Sequence, residues 1–332
     1  TPKMDKQEEI YTQAMQYLDD AIADLQKEDL IDPGAQDLLY QGDAEKWLKL
    51  AYGLKARYTM HLLKRSANKD ADMEKVLEYV DNSFESAEEQ AAFDVYDANN
   101  INPLYGFFVA RAGLGASESM RSKLAEYNDP RLSRAFITKQ GASGKEQAPG
   151  TADNAVYAPN GSPEQGTSKY GTSLFMYSIS APTLLLSYHE LKFLEAEALC
   201  RLGRDAKSAL KDAVVAGLLN AESSFSVSRK ELGKTLINPA SSITDTEAES
   251  YFDNTVEAKY TAEPLKTTMT QKYFALWGAS GEATESYNDV RRMKGLGENF
   301  IELKNPNSFP LRCPYGNSDT TTLQLLPLLR LS

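Results

Sequence analysis

Apolar residues recur along positions 5–27 at three- and four-residue spacing. Tyr11, Ala14, Leu18, Ala21, Ile22 and Leu25 therefore share one face of a predicted helix. Asp32-Pro33-Gly34 is a turn signal. A second helix is predicted from near Asp43, whose carboxylate can cap the free amides of its first turn. Trp47, Leu50, Ala51, Leu54, Tyr58 and Leu62 form its buried face. After Asn68–Asp72 a third helix presents Val76, Val80 and Phe84. Further on, Ser180-Ala181-Pro182-Thr183 predicts the start of a helix running to about Leu202, with Pro182 in its first turn. Gly203 stops it as a left-handed cap. A shorter partner helix is expected over Ala206–Leu219, and a last strong helix over 263–277.

Long helices joined by short connections pack antiparallel, so the expected fold class is mainly α, built of helical hairpins. A long helix beside a shorter one, with Ala196 and Ala198 at the contact, is similar in architecture to a tetratricopeptide unit. The helical scaffold is placed at 5–90 and 181–278, with a variable loop region at 95–180 and an extended C-terminal region at 279–332. Residues 138–180 are rich in Gly, Ser, Thr, Pro and Asn, yet carry Tyr157, Tyr170, Phe175 and Tyr177. Long irregular segments with embedded aromatics point to a functional loop, since flexible linkers seldom carry aromatics. No strand is convincing beyond short pieces.

Composition narrows the classes. Hydrophobic residues at 42% and charged residues at 25% fit a globular chain, and 332 residues suffice for a large core. Lys plus Arg total 36 against 47 for Asp plus Glu, a net charge of -11, which argues against nucleic acid as a partner. No stretch approaches the roughly 20 apolar residues of a membrane span. The opening at Thr1 reads as a processed or excised start. Cys200 and Cys313 can form at most one bridge. Cys200 lies at an apolar helical position and reads as a small buried thiol.

Candidate chemistry is sparse. His61 and His189 each stand without a neighbouring His or Cys to share a cation, so no metal is expected. Asn68-Lys69-Asp70-Ala71-Asp72 begins like a calcium loop, but Met73 and Tyr79 occupy the Gly and Glu positions; a turn and helix cap explains it better. Gly141-Ala142-Ser143-Gly144-Lys145 lacks the first Gly and the Ser/Thr of a phosphate loop, and no cofactor is expected. Asn160-Gly161-Ser162 fits a glycosylation sequon. Glu190 and Glu197 share a helix face roughly 10 Å apart by helical rise, the one pair to weigh as glycosidase carboxylates. Glu197 with Arg201 at i+4 reads more simply as a helix-surface ion pair.

Five passages occur in order: Ile10-Tyr11 with Ala21-Ile22-Ala23-Asp24-Leu25; Gly42-Asp43-Ala44-Glu45-Lys46-Trp47 leading to Leu54-Lys55-Ala56-Arg57-Tyr58; Asn128-Asp129-Pro130-Arg131-Leu132; Tyr188 to Ala198 ending in Arg201-Leu202-Gly203; and Gln271-Lys272-Tyr273 with Glu285 to Arg292. Together they resemble the SusD/RagB family of Bacteroidetes surface lipoproteins. The resemblance implies one SusD-like α/α superhelical domain over 1–332, lacking its N-terminal segment and lipidated cysteine. It implies a cell-surface, lipid-anchored outer-membrane protein without catalytic residues. Such a protein covers a SusC-like TonB-dependent transporter and hands it oligosaccharides or peptides. Loop aromatics would stack on sugar rings. Ligand candidates are Tyr157, Tyr170 and Asn160 in the variable loop, with Tyr105 as a fallback. Asp289 and Arg291/Arg292 are expected to tie a loop down through charged hydrogen bonds.

Two other classes compete. One is a tetratricopeptide-type adaptor, disfavoured by the long Gly/Ser/Tyr-rich insertion between helices. The other is a helical glycosidase or lyase.

Overall fold

The computed structural model describes residues 5–27, 31–111, 114–140, 145–147, 156–161, 170–237, 239–279, 281–305 and 309. Expectations placed on 141–144, 148–155, 162–169 and the tail from Pro310, Cys313 included, lie outside these residues. The first part runs α1 (Gln7–Leu25), α2 (Ala44–His61), α3 (Lys69–Asp81), β1 (Ala91–Phe93), α4 (Pro103–Arg111), α5 (Glu118–Glu126) and α6 (Leu132–Ala135). Four short strands follow: β2 (Phe136–Gln140), β3 (Lys145–Gln147), β4 (Thr172–Ser173) and β5 (Thr183–Leu186). The rest is α7 (Tyr188–Arg201), α8 (Lys207–Leu232), β6 (Leu236–Ile237), α9 (Asp245–Tyr251), α10 (Glu257–Ala262), α11 (Pro264–Ala275) and α12 (Ala283–Leu296). The fold is mainly helical, as the periodicity predicted.

Local chemistry accounts for several boundaries. The Asp43 carboxylate accepts from the Lys46 amide, and Asn68 caps α3 by accepting from the Ala71 amide. Pro264 occupies the first turn of α11, where the missing N–H costs nothing. Gly203 has φ +69°, and the Arg204 amide reaches back to the Leu199 carbonyl at 2.9 Å. This is the six-to-one bond of a left-handed helix stop. Gly203→Ala is expected to lose about 1–2 kcal/mol, the cost of forcing an L side chain into that region. Urea unfolding of the variant measures it.

Four expectations need correction. First, Ser180–Thr183 does not open a helix. Residues 183–186 form β5, antiparallel to β1 with Phe93 opposite Thr183, and α7 starts only after Ser187, whose Oγ accepts from the Glu190 amide at 3.1 Å. Second, α8 does not end near Leu219. It runs on for 26 residues against 14 in α7, because Ala221, Phe225 and the buried Ser224 and Ser228 continue its inner face. The serines are satisfied: Ser178 Oγ donates to the Ser224 carbonyl at 2.9 Å and lies 2.6 Å from Ser228 Oγ. Third, the region taken as extended from 279 contains α12. Fourth, the region taken as loop from 95 contains α4, α5 and α6, while β2 pairs with both β3 and β4.

The core lies in two main apolar clusters, with α7 between them. Leu191, Leu194 and Ala198 of α7 pack with Leu50, Met60, Met73 and Val76 of α2 and α3. Phe193 and Ala196 of the same helix pack with Leu210, Val214, Leu218 and Phe225 of α8 and with Phe274 of α11. Lys192 and Glu195 pair on the partly exposed strip of α7, but Glu190 and Glu197 fall on its buried faces, where a charge must be paired. Glu190 receives Arg57 Nε at 2.9 Å and also Arg57 Nη2. Glu197 receives both Arg292 Nη atoms and Arg201 Nε, the last at 2.7 Å. The expected Glu197–Arg201 pair therefore forms, but in the interior: Glu197 is 0% exposed. Asp289 accepts from Arg292 at 2.7 Å and sits 2.8 Å from Lys272 Nζ, so these charges bind α7, α11 and α12 together rather than holding a loop. Arg201 continues the chain to Glu298 at 2.8 Å and 2.9 Å.

Candidate ligand-binding site

The Asn128–Leu132 passage sets the geometry around α5 and α11. Asn128 adopts φ +49°, reversing the chain after α5. The Asp129 carboxylate then takes Arg131 N and Nε at 2.9 Å and Nη2 at 2.7 Å, while Arg131 Nη1 donates to the Phe274 carbonyl at 2.8 Å. The pair is buried and anchors the end of α5 to the end of α11.

Residues 156–161 are laid against the start of α5 by backbone bonds. The Glu118 amide donates to the Ala158 carbonyl at 3.0 Å, and the Ala158 amide to Ala116 at 2.8 Å. Ser117 Oγ donates to Asn160 Oδ1 at 3.0 Å, and Asn160 Nδ2 donates to Asn305 Oδ1 at 2.9 Å. One amide side chain thus joins α5 to the segment after α12. Between α5, α11, Pro159-Asn160 and residues 300–304 lies a groove of about 570 Å³. Tyr127, Phe274, Phe300 and Ile301 give it apolar walls, and Ser119, Ser122, Thr270, Lys123 and Lys266 bring hydroxyls and amines to its surface. Burial raises the Tyr127 phenol above its ordinary pKa, partly offset by its hydrogen bond with Thr270. The Tyr127 ring is held edge-on to Phe274 at 5.3 Å and capped by Lys259 Nζ at 4.4 Å.

The four sequence candidates fall in different places. Asn160 lines the groove. Tyr157 does not: it is 7% exposed, edge-on to Phe136 at 5.2 Å, with the Arg121 guanidinium 5.1 Å above its ring. Burial raises its pKa and Arg121 opposes that shift. A Cβ on Gly171 would come within 2.8 Å of the same ring, so that glycine admits the packing. Tyr170 is buried at 8% exposure. Tyr105 is half-buried on α4, 3.5 Å from Glu231, and lines no part of this groove; burial first and Glu231 second raise its pKa. Lys123, Ser119, Thr270, Phe300 and Ile301 were not among the candidates. They come from separate stretches of chain, and nothing local marks them.

Other candidate chemistry resolves into structure. Glu190 and Glu197 are both consumed in arginine pairs. His189 is 1% exposed with Nε2 3.3 Å from Glu282, and His61 lies between Tyr11 at 3.2 Å and Glu285 at 2.6 Å. Burial raises the Tyr11 phenol, with Glu285 adding to it. Cys200 carries a free, half-buried thiol 3.6 Å from Thr268 Oγ1, its pKa raised by burial. Among the described residues no cluster of three metal-ligating side chains occurs, and no helix is long and apolar enough to cross a membrane.

The SusD-like family profile, described as "Starch-binding associating with outer membrane", matches residues 1–315. The chain belongs to the SusD-like family. A SusD/RagB family protein from Bacteroides thetaiotaomicron superposes on this SusD-like chain with a TM-score of 0.95 at 64% identity. The match covers 99% of this chain and 71% of that one. A chitin-binding protein superposes at 0.72 with 21% identity, over 100% of this chain and 71% of its own. A Bacteroides vulgatus outer-membrane protein linked with nutrient binding gives 0.72 at 19%, over 99% and 73%. The last two show a shared fold. No curated protein sequence matches this SusD-like chain.

Proposed function

We propose that this SusD-like protein captures oligosaccharide nutrients at the cell surface in the groove between α5, α11 and residues 300–304. The groove carries the reading. Its volume of about 570 Å³ falls within the roughly 300–1,000 Å³ of small-ligand sites. Apolar walls with a few convergent hydroxyl, amide and amine groups suit the two kinds of surface on a sugar ring. Asn160 is its polar contact from the loop, and Tyr157 anchors that loop by packing on Phe136. A family described as starch-binding and a related fold that binds chitin favour glycans over peptides as cargo.

The protein acts without turnover, held by a lipid anchor, and passes its cargo to a TonB-dependent transporter. Locking Glu190 and Glu197 in buried arginine pairs supports the non-catalytic part.

Calorimetric titration against oligosaccharide and peptide panels, with products monitored, tests the proposal. Ser122 is exposed on α5 and lines the groove, so Ser122→Trp fills the space without disturbing the core. It is expected to weaken glycan binding at least about tenfold, or 1.4 kcal/mol, at an unchanged melting temperature. Undiminished binding would place the ligand elsewhere, and release of hydrolysed sugar would replace the binder with an enzyme.

A further inference from the structure

On the reading that this groove is the ligand site, its charges specify the kind of sugar it takes. Three lysines and three glutamates line it: Lys123, Lys266 and Lys304 with Glu118, Glu126 and Glu302. Lys266 and Lys304 stand in exposed ion pairs, Lys266 with its Nζ 2.8 Å from Glu263 and Lys304 with Glu302. The Glu118 carboxylate accepts from Ser122 Oγ at 3.1 Å, while Glu126 keeps its charge at the rim. Lys123 differs. It is half-buried near the end of α5, donates to Ser119 Oγ at 2.7 Å, and has no carboxylate at ion-pair distance among the described residues. Burial lowers its pKa; Glu302 opposes this from further off, Lys304 adds to it, and Glu126 opposes it weakly.

An ammonium carries three N–H donors, so two remain after the bond to Ser119. A cation withdrawn from water without a counter-ion is unfavourable in the free protein. An incoming anion relieves that, whereas a neutral hydroxyl relieves it only in part. The surrounding groups would serve the remainder of the ligand: Ser122 and Asn160 for hydroxyls, Phe300 and Ile301 for a ring face. With a net charge of -11, the protein as a whole repels anions at long range. Preference for an anion must then come from contact inside the groove.

We infer that the groove is selective for acidic oligosaccharides, bearing a uronate carboxylate or a sulfate ester, and that Lys123 is the residue that pairs with the anion. The test is calorimetry on the full chain with tri-galacturonate, its methyl ester, and matched neutral and sulfated oligosaccharides. The expected result is at least about tenfold tighter binding of the acidic member of a pair, equivalent to 1.4 kcal/mol. Carboxylate and sulfate are separated by which acidic ligand shows the gain. Lys123→Met is expected to bring the acidic-to-neutral ratio to about one, and Lys123→Arg to retain a preference, because the charge is kept. The Met variant should melt no lower than the wild type, since it removes an unpaired half-buried cation. Equal affinity for acidic and neutral ligands, or a preference that survives Lys123→Met, overturns the inference. If neutral glycans bind and Ser122→Trp blocks them without any acidic preference, only this inference falls. If no glycan binds at all, the proposed function falls with it.

Discussion

Glu197→Gln is expected to lower the unfolding free energy by about 3–5 kcal/mol, as for breaking other buried ion pairs. Glu197, Asp289 and Glu298 face Arg201, Arg292 and Lys272, so the charges balance within one buried cluster. Neutralising Glu197 leaves a surplus positive charge where Arg292 is 5% and Lys272 2% exposed. Urea unfolding at neutral pH measures the loss, and a value under about 1 kcal/mol would mean that the cluster is screened like a surface pair. Replacing Glu197 and Arg292 together by leucine should cost less than the two single changes summed, since no charge is then stranded.

Acid adds an independent readout. Arg292 and Arg201 hold the Glu197 carboxyl below its ordinary value of 4.5 against the opposing effect of burial, and Lys272 and Arg292 do the same for Asp289 against 3.8. A depressed carboxylate stabilises fully above its unfolded pKa, and the contribution is lost as pH falls through the folded one. Stability of the wild type should therefore decline on acidification below about 4.5, because the unfolded chain takes up the proton first. Glu197→Gln should show a shallower slope over the same interval.

Asp129→Ala is expected to cost a similar amount, about 3–5 kcal/mol. Its carboxylate takes three donors from Arg131, and without it the guanidinium keeps only the Phe274 carbonyl at 2.8 Å. Arg131 is 2% exposed, so water does not readily replace the lost partner. This pair also joins the two helices that wall the groove. Glycan affinity should fall along with stability, and thermal melts with calorimetry on one preparation separate the two effects. Arg131→Lys should not rescue the arrangement: an ammonium cannot present the planar fork that meets both Asp129 oxygens. Full stability in Asp129→Ala would show that the turn is held by its backbone alone.

The sequence made the helices legible where their inner faces are apolar. Tyr11 to Leu25 follow the expected spacing, and the Asp43 and Gly203 caps behave as their chemistry predicts. On α2 only Leu50 and Ala51 of the expected face are buried; Trp47, Leu54, Tyr58 and Leu62 are half-buried, and Ala56, Thr59 and Met60 lie further in. It misled where the inner face is polar or the partner is distant. α12 buries Asp289 and Arg292, which look like surface residues until Glu197 and Lys272 meet them. α8 continues through the buried Ser224 and Ser228, past the expected end at Leu219. β5 exists because residues 91–93, some ninety positions earlier, supply its hydrogen bonds. Of the groove's lining, Asn160 was legible, whereas Tyr157 and Tyr170 turned inward and Tyr105 sits half-buried on α4. The groove is assembled from residues 118–127, 159–160, 266–274 and 300–304, so its membership is a property of the packed fold. Lys123 could not be distinguished from other lysines before its place in the groove, with no carboxylate at ion-pair distance among the described residues, was visible.

The position of α7 between two apolar clusters bears on how the molecule comes apart. Loss of order in either cluster strips one face of α7, because Leu194 and Phe193 are neighbours on the same helix. Heating or denaturant should then give a single coincident transition by fluorescence and circular dichroism, with no half-melted species between. Amide hydrogens in the middle of α7 should be among the slowest to exchange, released only when the whole chain opens.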